Sequence, residues 1–369
     1  MPGKKSVSII GAGTAGLLAA RELSRRNIHT IVYDQKRELG LPVRASGILS
    51  IKGLGEIGID YSSAITNTLH GANIHAGGAK LRIKAKAPVA HVLDRKKLND
   101  ICYDEALASG SKIVLGKRMD AKTLESLSGS NIIIGADGAV SSTAKHFSMG
   151  EIKRYVLTYK AEFNTSAEDQ GIVDLFFDNK ISKGLFGWFC PNTSDTLEIG
   201  IGIDSRYGNA KAAFEKFIAT DYASNAISGS KRISDGASII PMSLRERIVD
   251  LKREVILVGD AAGQVKPSTG GGIIYGGNAA IIAAKTIHRH IKEGASLSEY
   301  VASYRRKYAV DTKIHCLANM LYSNLNEDAL AATIKAMEAF QINRLLGRYG
   351  DMDMPSRIIR NLLLGRAVS

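Results

Sequence analysis

Ser6-Val7-Ser8-Ile9-Ile10-Gly11-Ala12-Gly13-Thr14-Ala15-Gly16 is the stretch on which the fold turns. The apolar run Val7 to Ile10 reads as a strand that stops at Gly11, Leu17 to Arg26 carries helical residues, and Thr30 to Asp34 reads as a second strand. In a strand–turn–helix unit this glycine spacing has a mechanical reading. Gly11 permits the tight turn, Gly13 lets backbone approach a pyrophosphate, and Gly16 lets helix and strand pack closely. The helix start then offers free N–H groups and the positive end of its dipole to the phosphates. Asp34, 18 residues past Gly16, ends the second strand where an acid can accept hydrogen bonds from a ribose. Dinucleotide binding is expected; the bland alternative is an ordinary glycine-rich turn.

Downstream, Ala79 to Ala87 alternates apolar and basic residues and predicts a half-exposed strand. A helix is expected from Arg95 to Ser109 and a strand at Ile113-Val114-Leu115. Asn131 to Ile134 leads into a second glycine stretch, Gly135-Ala136-Asp137-Gly138. Four alternating segments, Tyr155 to Phe163, Ile172 to Phe177, Leu185 to Phe189 and Leu197 to Ile203, predict an antiparallel sheet. The chain returns at Glu254 to Val258 to a third stretch, Gly259-Asp260-Ala261-Ala262-Gly263, followed by Pro267-Ser268-Thr269-Gly270-Gly271-Gly272 and a small-residue helix from Ile273 to His290. Glycines before a helix let main chain pass against a flat or charged ligand; the alternative is a close helix-to-sheet crossing.

Composition narrows the class. The 369 residues suffice for about two domains, and 45% hydrophobic with 23% charged residues is ordinary for a globular protein. The 37 glycines cluster without a period, which excludes collagen and low-complexity readings. No apolar run approaches the roughly 18 residues that cross a bilayer, and the first strand comes too early for a signal peptide. Cys102, Cys190 and Cys316 are odd in number and scattered, so neither a disulfide framework nor a metal site is expected, and a cytoplasmic location is. A formal net charge of +13 suits an anionic surface. The basic residues are spread along the chain without a helix-turn-helix or zinc-finger pattern, so a nucleic-acid partner is not expected.

Taken in order, the three glycine stretches resemble the fingerprints of FAD enzymes of the para-hydroxybenzoate hydroxylase type. Within that superfamily, Val265-Lys266-Pro267-Ser268-Thr269-Gly270-Gly271-Gly272-Ile273 is most similar to the geranylgeranyl reductases, including archaeal digeranylgeranylglycerophospholipid reductases. The His after Gly-Asp-Ala-Ala and the Gly-Gln-Gly usual in hydroxylases are missing. The resemblance implies an α/β fold with a Rossmann-type FAD-binding domain, an inserted antiparallel sheet for the substrate and a helical C-terminal region. The implied division runs FAD-binding 1–70, substrate strands 71–94, FAD-binding 95–150, substrate sheet 151–240, FAD-binding 241–295 and C-terminal helices 296–369.

The same resemblance implies that Gly11, Gly13, Ala15 and Gly16 serve the pyrophosphate and Asp34 the adenosine ribose. Arg44, Arg95, Asp137, Gly259 and Asp260 would contact FAD as well, with Asp260 on its ribityl or phosphate part, while Gly270, Gly271, Gly272 and Ile273 line the ring. Phe186-Gly187-Trp188-Phe189-Cys190-Pro191 partly matches the family's substrate motif, so Phe186 and Trp188 are candidates for a prenyl-chain wall, with plain core as the alternative. Ala45 stands where many members carry a cysteine, and Cys190 is a poor substitute. No catalytic residue is assigned; Tyr275 is a guess for a proton donor against the bland reading of a packed helix tyrosine.

The implied activity is saturation of carbon–carbon double bonds in geranylgeranyl chains of an isoprenoid ether lipid, with electrons from a ferredoxin, a nicotinamide or a deazaflavin. The alternatives are a flavin-dependent monooxygenase and an FAD-binding protein without prenyl reductase activity. Near the C-terminus Ile358, Ile359, Leu362 and Leu363 fall on one side of a helix, with Arg357, Arg360 and Arg366 nearby. This helix either lies on an anionic membrane, making the protein peripheral on its inner face, or packs on the protein's own core.

Overall fold

A computed structural model describes residues 5–40 and 46–363. Arg44 and Ala45, and the side chains of Ile359, Leu362, Leu363 and Arg366, lie outside what is described. β1 (Ser6–Ile10), α1 (Thr14–Ser24) and β2 (Thr30–Tyr33) form the expected unit, with β2 parallel to β1. The chain then leaves through β3 (Ile48–Ser50), α2 (Ile51–Ile57), β4 (Ile65–Leu69), β5 (Gly71–Ala76), β6 (Ala79–Lys84) and β7 (Ala90–Leu93). It returns through α3 (Arg95–Ala108), β8 (Lys112–Val114), α4 (Ala121–Leu127), β9 (Asn131–Gly135) and α5 (Ser142–His146).

A second excursion comprises β10 (Tyr155–Phe163), β11 (Ile172–Phe176), β12 (Gly187–Thr193), β13 (Thr196–Asp204), α6 (Ala210–Ile218), α7 (Asp221–Ala226) and β14 (Arg232–Pro241). β15 (Val249–Asp250), β16 (Val255–Leu257) and α8 (Ile273–Glu293) complete the nucleotide-type unit. The chain ends in α9 (Glu299–Asn324), α10 (Glu327–Ala339), α11 (Ile342–Tyr349) and α12 (Ser356–Leu363). Among the described residues no helix is long and apolar enough to cross a membrane.

The first sheet runs β15-β16-β9-β1-β2-β8, parallel except at β15. Its strands are nearly continuous apolar runs because both faces are buried: Val7, Ile9, Ile132, Ile133, Ile134, Val255 and Leu257 are buried in one core with Leu17 and Leu18 of α1 and Ala280 and Ala284 of α8. The second sheet runs β14-β10-β13-β12-β11-β5-β6. It is antiparallel except where β11 pairs parallel with β5, because β5 arrives from the earlier excursion. β3, β7 and β4 make a small third sheet. β12 lies two residues later than expected at its start and runs past Pro191, where its pairing with β13 slips.

One face of the second sheet, with Tyr159, Ile199, Ile201 and Phe189, is sealed by Phe214 and Phe217 of α6. At the end of β13 the fully buried Asp204 accepts hydrogen bonds from Arg154 Nε (2.6 Å), Arg206 Nε (2.9 Å) and the Arg206 backbone N–H (3.0 Å). Burial alone would raise its pKa, but Arg206 and Arg154 outweigh it and hold the carboxyl at about 2. Unfolded, it titrates near 3.9. A depressed folded value contributes stability above pH ~4 and loses it as pH falls towards 2, about 2 kcal/mol in all. Asp204→Asn should therefore lower stability at pH 7 and flatten the acid limb of the stability curve, as measured by urea unfolding across that range.

Candidate active site

The glycines of the first turn are required for different reasons. Gly11 has φ +107°, and a Cβ there would stand 2.3 Å from the Ala136 carbonyl oxygen. One on Gly16 would stand 2.0 Å from the Gly11 oxygen. Gly13 is extended (φ −76°, ψ 174°), and a Cβ on it meets nothing within 4 Å. It opens onto free space before α1, whose start no side chain caps. Asp34 is fixed beside it, accepting from Ala12 N (2.7 Å) through Oδ2 and from Lys36 N (2.8 Å) through Oδ1.

The third glycine stretch folds onto the first. Gly259, at φ +64°, lies so close to Ala15 that a Cβ would stand 3.0 Å from the alanine methyl, and Gly276 in α8 packs on Gly259 Cα. Asp260 follows in a short helical turn, half-buried. Burial pushes its carboxyl up to about 6 against the pull of Arg95. A Cβ on Gly272 would come within 2.8 Å of Asp260 Oδ1, and one on Gly270 (φ +72°) within 2.9 Å of Ile240 Cδ1 on β14. Gly272 is the N-cap of α8, again without a capping side chain, and Ile273 opens the helix half-buried.

Arg95 sits at the first position of α3, whose cap Asp94 accepts from Lys96 N (2.8 Å) and Lys97 N (3.0 Å). Its Nε and Nη1 are buried and meet no hydrogen-bond partner in the protein. Buried guanidinium donors without acceptors are rare, because each leaves a desolvation cost uncompensated. Together with the open cradle at Gly13 and two uncapped helix starts, they fit a ligand carrying phosphates. The site thus suits FAD.

The other expected residues have partners within the protein. Asp137 accepts from Ser141 Oγ (2.5 Å), Ser142 Oγ (3.0 Å) and Thr143 N (2.9 Å), which makes it an anchor for the start of α5. Tyr275 packs as a helix tyrosine: it is fully buried, stacks on Tyr308 at 4.1 Å and donates to the Asp353 carbonyl (2.8 Å). Phe186 and Trp188 are buried in one apolar cluster with Val173 and Met242, against which Ile240 packs. Trp188 lies on Gly200 and donates to Glu198 Oε1 (2.8 Å), whose other oxygen pairs with Lys160 Nζ (2.5 Å). Cys190 is buried there, and burial pushes its thiol well above the usual range.

Sequence reasoning missed a buried polar knot under the third glycine stretch. Lys266 Nζ pairs with Asp353 Oδ1 (2.7 Å), and Ser50 Oγ hydrogen-bonds Asp353 Oδ2. Ser268 Oγ lies 2.6 Å from His315 Nδ1. Burial, then the charge of Lys266, lowers the His315 pKa, so the ring is held neutral and can accept from Ser268. A lysine inside an otherwise uncharged loop of mostly small residues was the available signal.

This fold and this cleft define an FAD-dependent oxidoreductase. The chain belongs to the FAD binding domain family, whose model matches residues 4–310, and FAD is its cofactor. It is 25% identical to an uncharacterized protein of Methanocaldococcus jannaschii, over 97% of this chain and 96% of that one. It is 23% identical to the digeranylgeranylglycerophospholipid reductase of the same organism, over 90% of each. Among solved structures it is similar to a geranylgeranyl bacteriochlorophyll reductase-like protein from Thermoplasma acidophilum, with a TM-score of 0.80 at 18% identity, covering 98% of this chain and 99% of that one.

Proposed function

We propose that this protein reduces carbon–carbon double bonds of geranylgeranyl chains in the synthesis of isoprenoid ether lipids. The observation that carries the reading is the apolar sheet face turned towards the glycine loop, combined with near full-length similarity to a digeranylgeranylglycerophospholipid reductase. Ile240 links the two, packing on the cluster of Trp188, Phe186 and Val173 and standing against Gly270. A long polyisoprenoid needs such a wall, because it offers nothing to hydrogen-bond.

In this reading Gly11, Gly13, Ala15 and Gly16 cradle the pyrophosphate and Asp34 the adenosine ribose. Arg95 donates its unpartnered N–H groups to a phosphate, with Arg44 assisting. Gly259 and Asp260 meet the ribityl or phosphate part, and Gly270 to Ile273 line the ring. FAD, once reduced, supplies the hydride that adds to one alkene carbon while a proton goes to the other. The protein's share is orientation and exclusion of water around the chain. Ser268 Oγ holds an exchangeable proton on the loop, shared with His315. Cys190 takes no part as a reactive thiol, since burial disfavours its thiolate. The electrons come from a ferredoxin, a nicotinamide or a deazaflavin.

The test is to reduce the purified holoprotein chemically, add a detergent-dispersed geranylgeranyl glycerol ether phospholipid, and read the product by mass spectrometry. Mass gains in steps of two hydrogens are expected. A hydroxylated product, or unchanged lipid beside a fully reduced flavin, would overturn the reading. Trp188→Phe should keep FAD and the fold while changing which prenyl lengths are reduced.

A further inference from the structure

Helix α9 is built inside out. Its inner face runs through Tyr304, Tyr308, Asp311, His315, Asn319 and Ser323, all buried, with Asp311 at 2% and Asn319 at 1% exposure. Three of these polar groups are held there by partners. Asp311 accepts from Ser356 N (2.8 Å), His315 pairs with Ser268, and Asn319 accepts from Arg154 Nη1 (2.6 Å) and donates to the Gly184 carbonyl (3.0 Å). The outer face is the apolar one. Val310, Leu317, Met320 and Leu321 are 62%, 52%, 54% and 51% exposed, and Ile314 between them is half-buried. At 100° per residue Val310, Ile314, Leu317 and Leu321 lie within about 60° of one another, opposite the buried seam. A helix on the outside of a water-soluble surface ordinarily shows the reverse pattern.

The charge around this stripe identifies what covers it. Arg306 and Lys313 are exposed on the same side, and after Glu299 the only acid on α9 is the buried Asp311. An apolar stripe edged by cations, on a chain of net charge +13, is complementary to an anionic bilayer and repels a second copy of itself. We propose that the outer face of α9 is a lipid-contact surface on which the protein lies against an anionic membrane, with Leu317 and Leu321 in the headgroup boundary and Arg306 and Lys313 among the phosphates. α12 starts against the protein itself. Its Arg357 is committed to Glu56 (2.7 Å) and Asp351 (3.0 Å), and its first N–H is tied to Asp311, so the helix begins docked against the middle of α9. The surface gives the proposed prenyl-lipid reaction its route to substrate and rests on that reading for its purpose. Its test needs no turnover.

The experiment is flotation of the FAD-loaded protein with mixed phosphatidylcholine–phosphatidylglycerol vesicles and with pure phosphatidylcholine vesicles, at low and high salt. The protein is expected to float with the anionic vesicles at low salt, and to be released as salt rises. Leu317→Glu/Leu321→Glu should cut the bound fraction by about tenfold or more at unchanged flavin absorbance. Arg306→Gln/Lys313→Gln should remove most of the salt dependence. If the glutamate pair fails to fold, Leu317→Ser/Leu321→Ser gives the same reading. Three outcomes overturn the proposal: no flotation at low salt, flotation indifferent to the α9 variants, or an α9 variant that turns a dimer into a monomer on a sizing column without changing flotation. Because the reduction assay uses lipid in detergent, the reductase reading and the membrane surface can fail separately.

Discussion

A Gly13→Val variant is expected to fold like the parent and to purify without yellow colour. Valine meets no obstacle at this position: the backbone is extended, and the added Cβ has no neighbour within 4 Å. The side chain fills only the space before α1 where main-chain N–H groups must approach a pyrophosphate. We expect FAD affinity to fall by roughly 4 kcal/mol, about a thousandfold in Kd, with the circular dichroism spectrum unchanged. Since a bound ligand stabilises by mass action, the variant's melting temperature should match that of the parent stripped of FAD and not lie below it. Gly16→Val is the contrasting control. Its Cβ would be driven to 2.0 Å from the Gly11 oxygen, so it should damage the fold itself. Full flavin content in a folded Gly13→Val protein would refute the assignment of this turn to the cofactor.

Gly11 and Gly16 explain why so much of the cleft was legible. A turn with positive φ, or a contact closer than any Cβ permits, admits one residue type, so the constraint is written in the sequence at the position where it acts. The strands β10, β11 and β13 were equally open, because they are apolar, β-branched- and aromatic-rich segments bounded by turn residues, and β13 is buried along nearly its whole length. β14 was not. Its first residues, Arg232 to Asp235, are exposed, and as an edge strand pairing only with β10 it carries no apolar period there. The small sheet of β3, β4 and β7 escaped for a related reason: three short strands separated in sequence have no local pattern to reveal their pairing. Asp137 was less legible, because an acid after a glycine strand serves equally as a ligand contact or as an anchor for the next helix, and here it anchors α5. The orientation of α9 was not legible, because its buried seam is the polar one.

The polar knot under the glycine loop is the clearest case of information absent from local sequence, since Lys266 and Asp353 are 87 residues apart. It also yields the largest stability effect we expect. Lys266 is buried beneath the loop, its backbone N–H donating to the Gly271 oxygen (3.1 Å) and its oxygen accepting from Gly270 N (2.8 Å). Asp353 is buried too, and its carbonyl receives Tyr275. Burial on its own would raise the Asp353 pKa, but Lys266 and Ser50 bring it below the ordinary value, so the pair is ionised at neutral pH. Asp353→Ala strips the partner from a buried ammonium and should cost about 3–5 kcal/mol, because the charge stays desolvated with nothing opposite it. Much of the loss should appear in the glycine loop, which would loosen around Lys266 and hold FAD less tightly. The double variant Lys266→Met/Asp353→Leu separates charge from packing. If the penalty is the orphaned cation, an apolar pair of similar volume should recover most of the stability. Guanidinium unfolding of the parent, the single variant and the double variant decides it. A double variant as unstable as Asp353→Ala would show that the Ser50 hydrogen bond to the Asp353 carboxylate, and not the ion pair, holds the C-terminal segment against the loop.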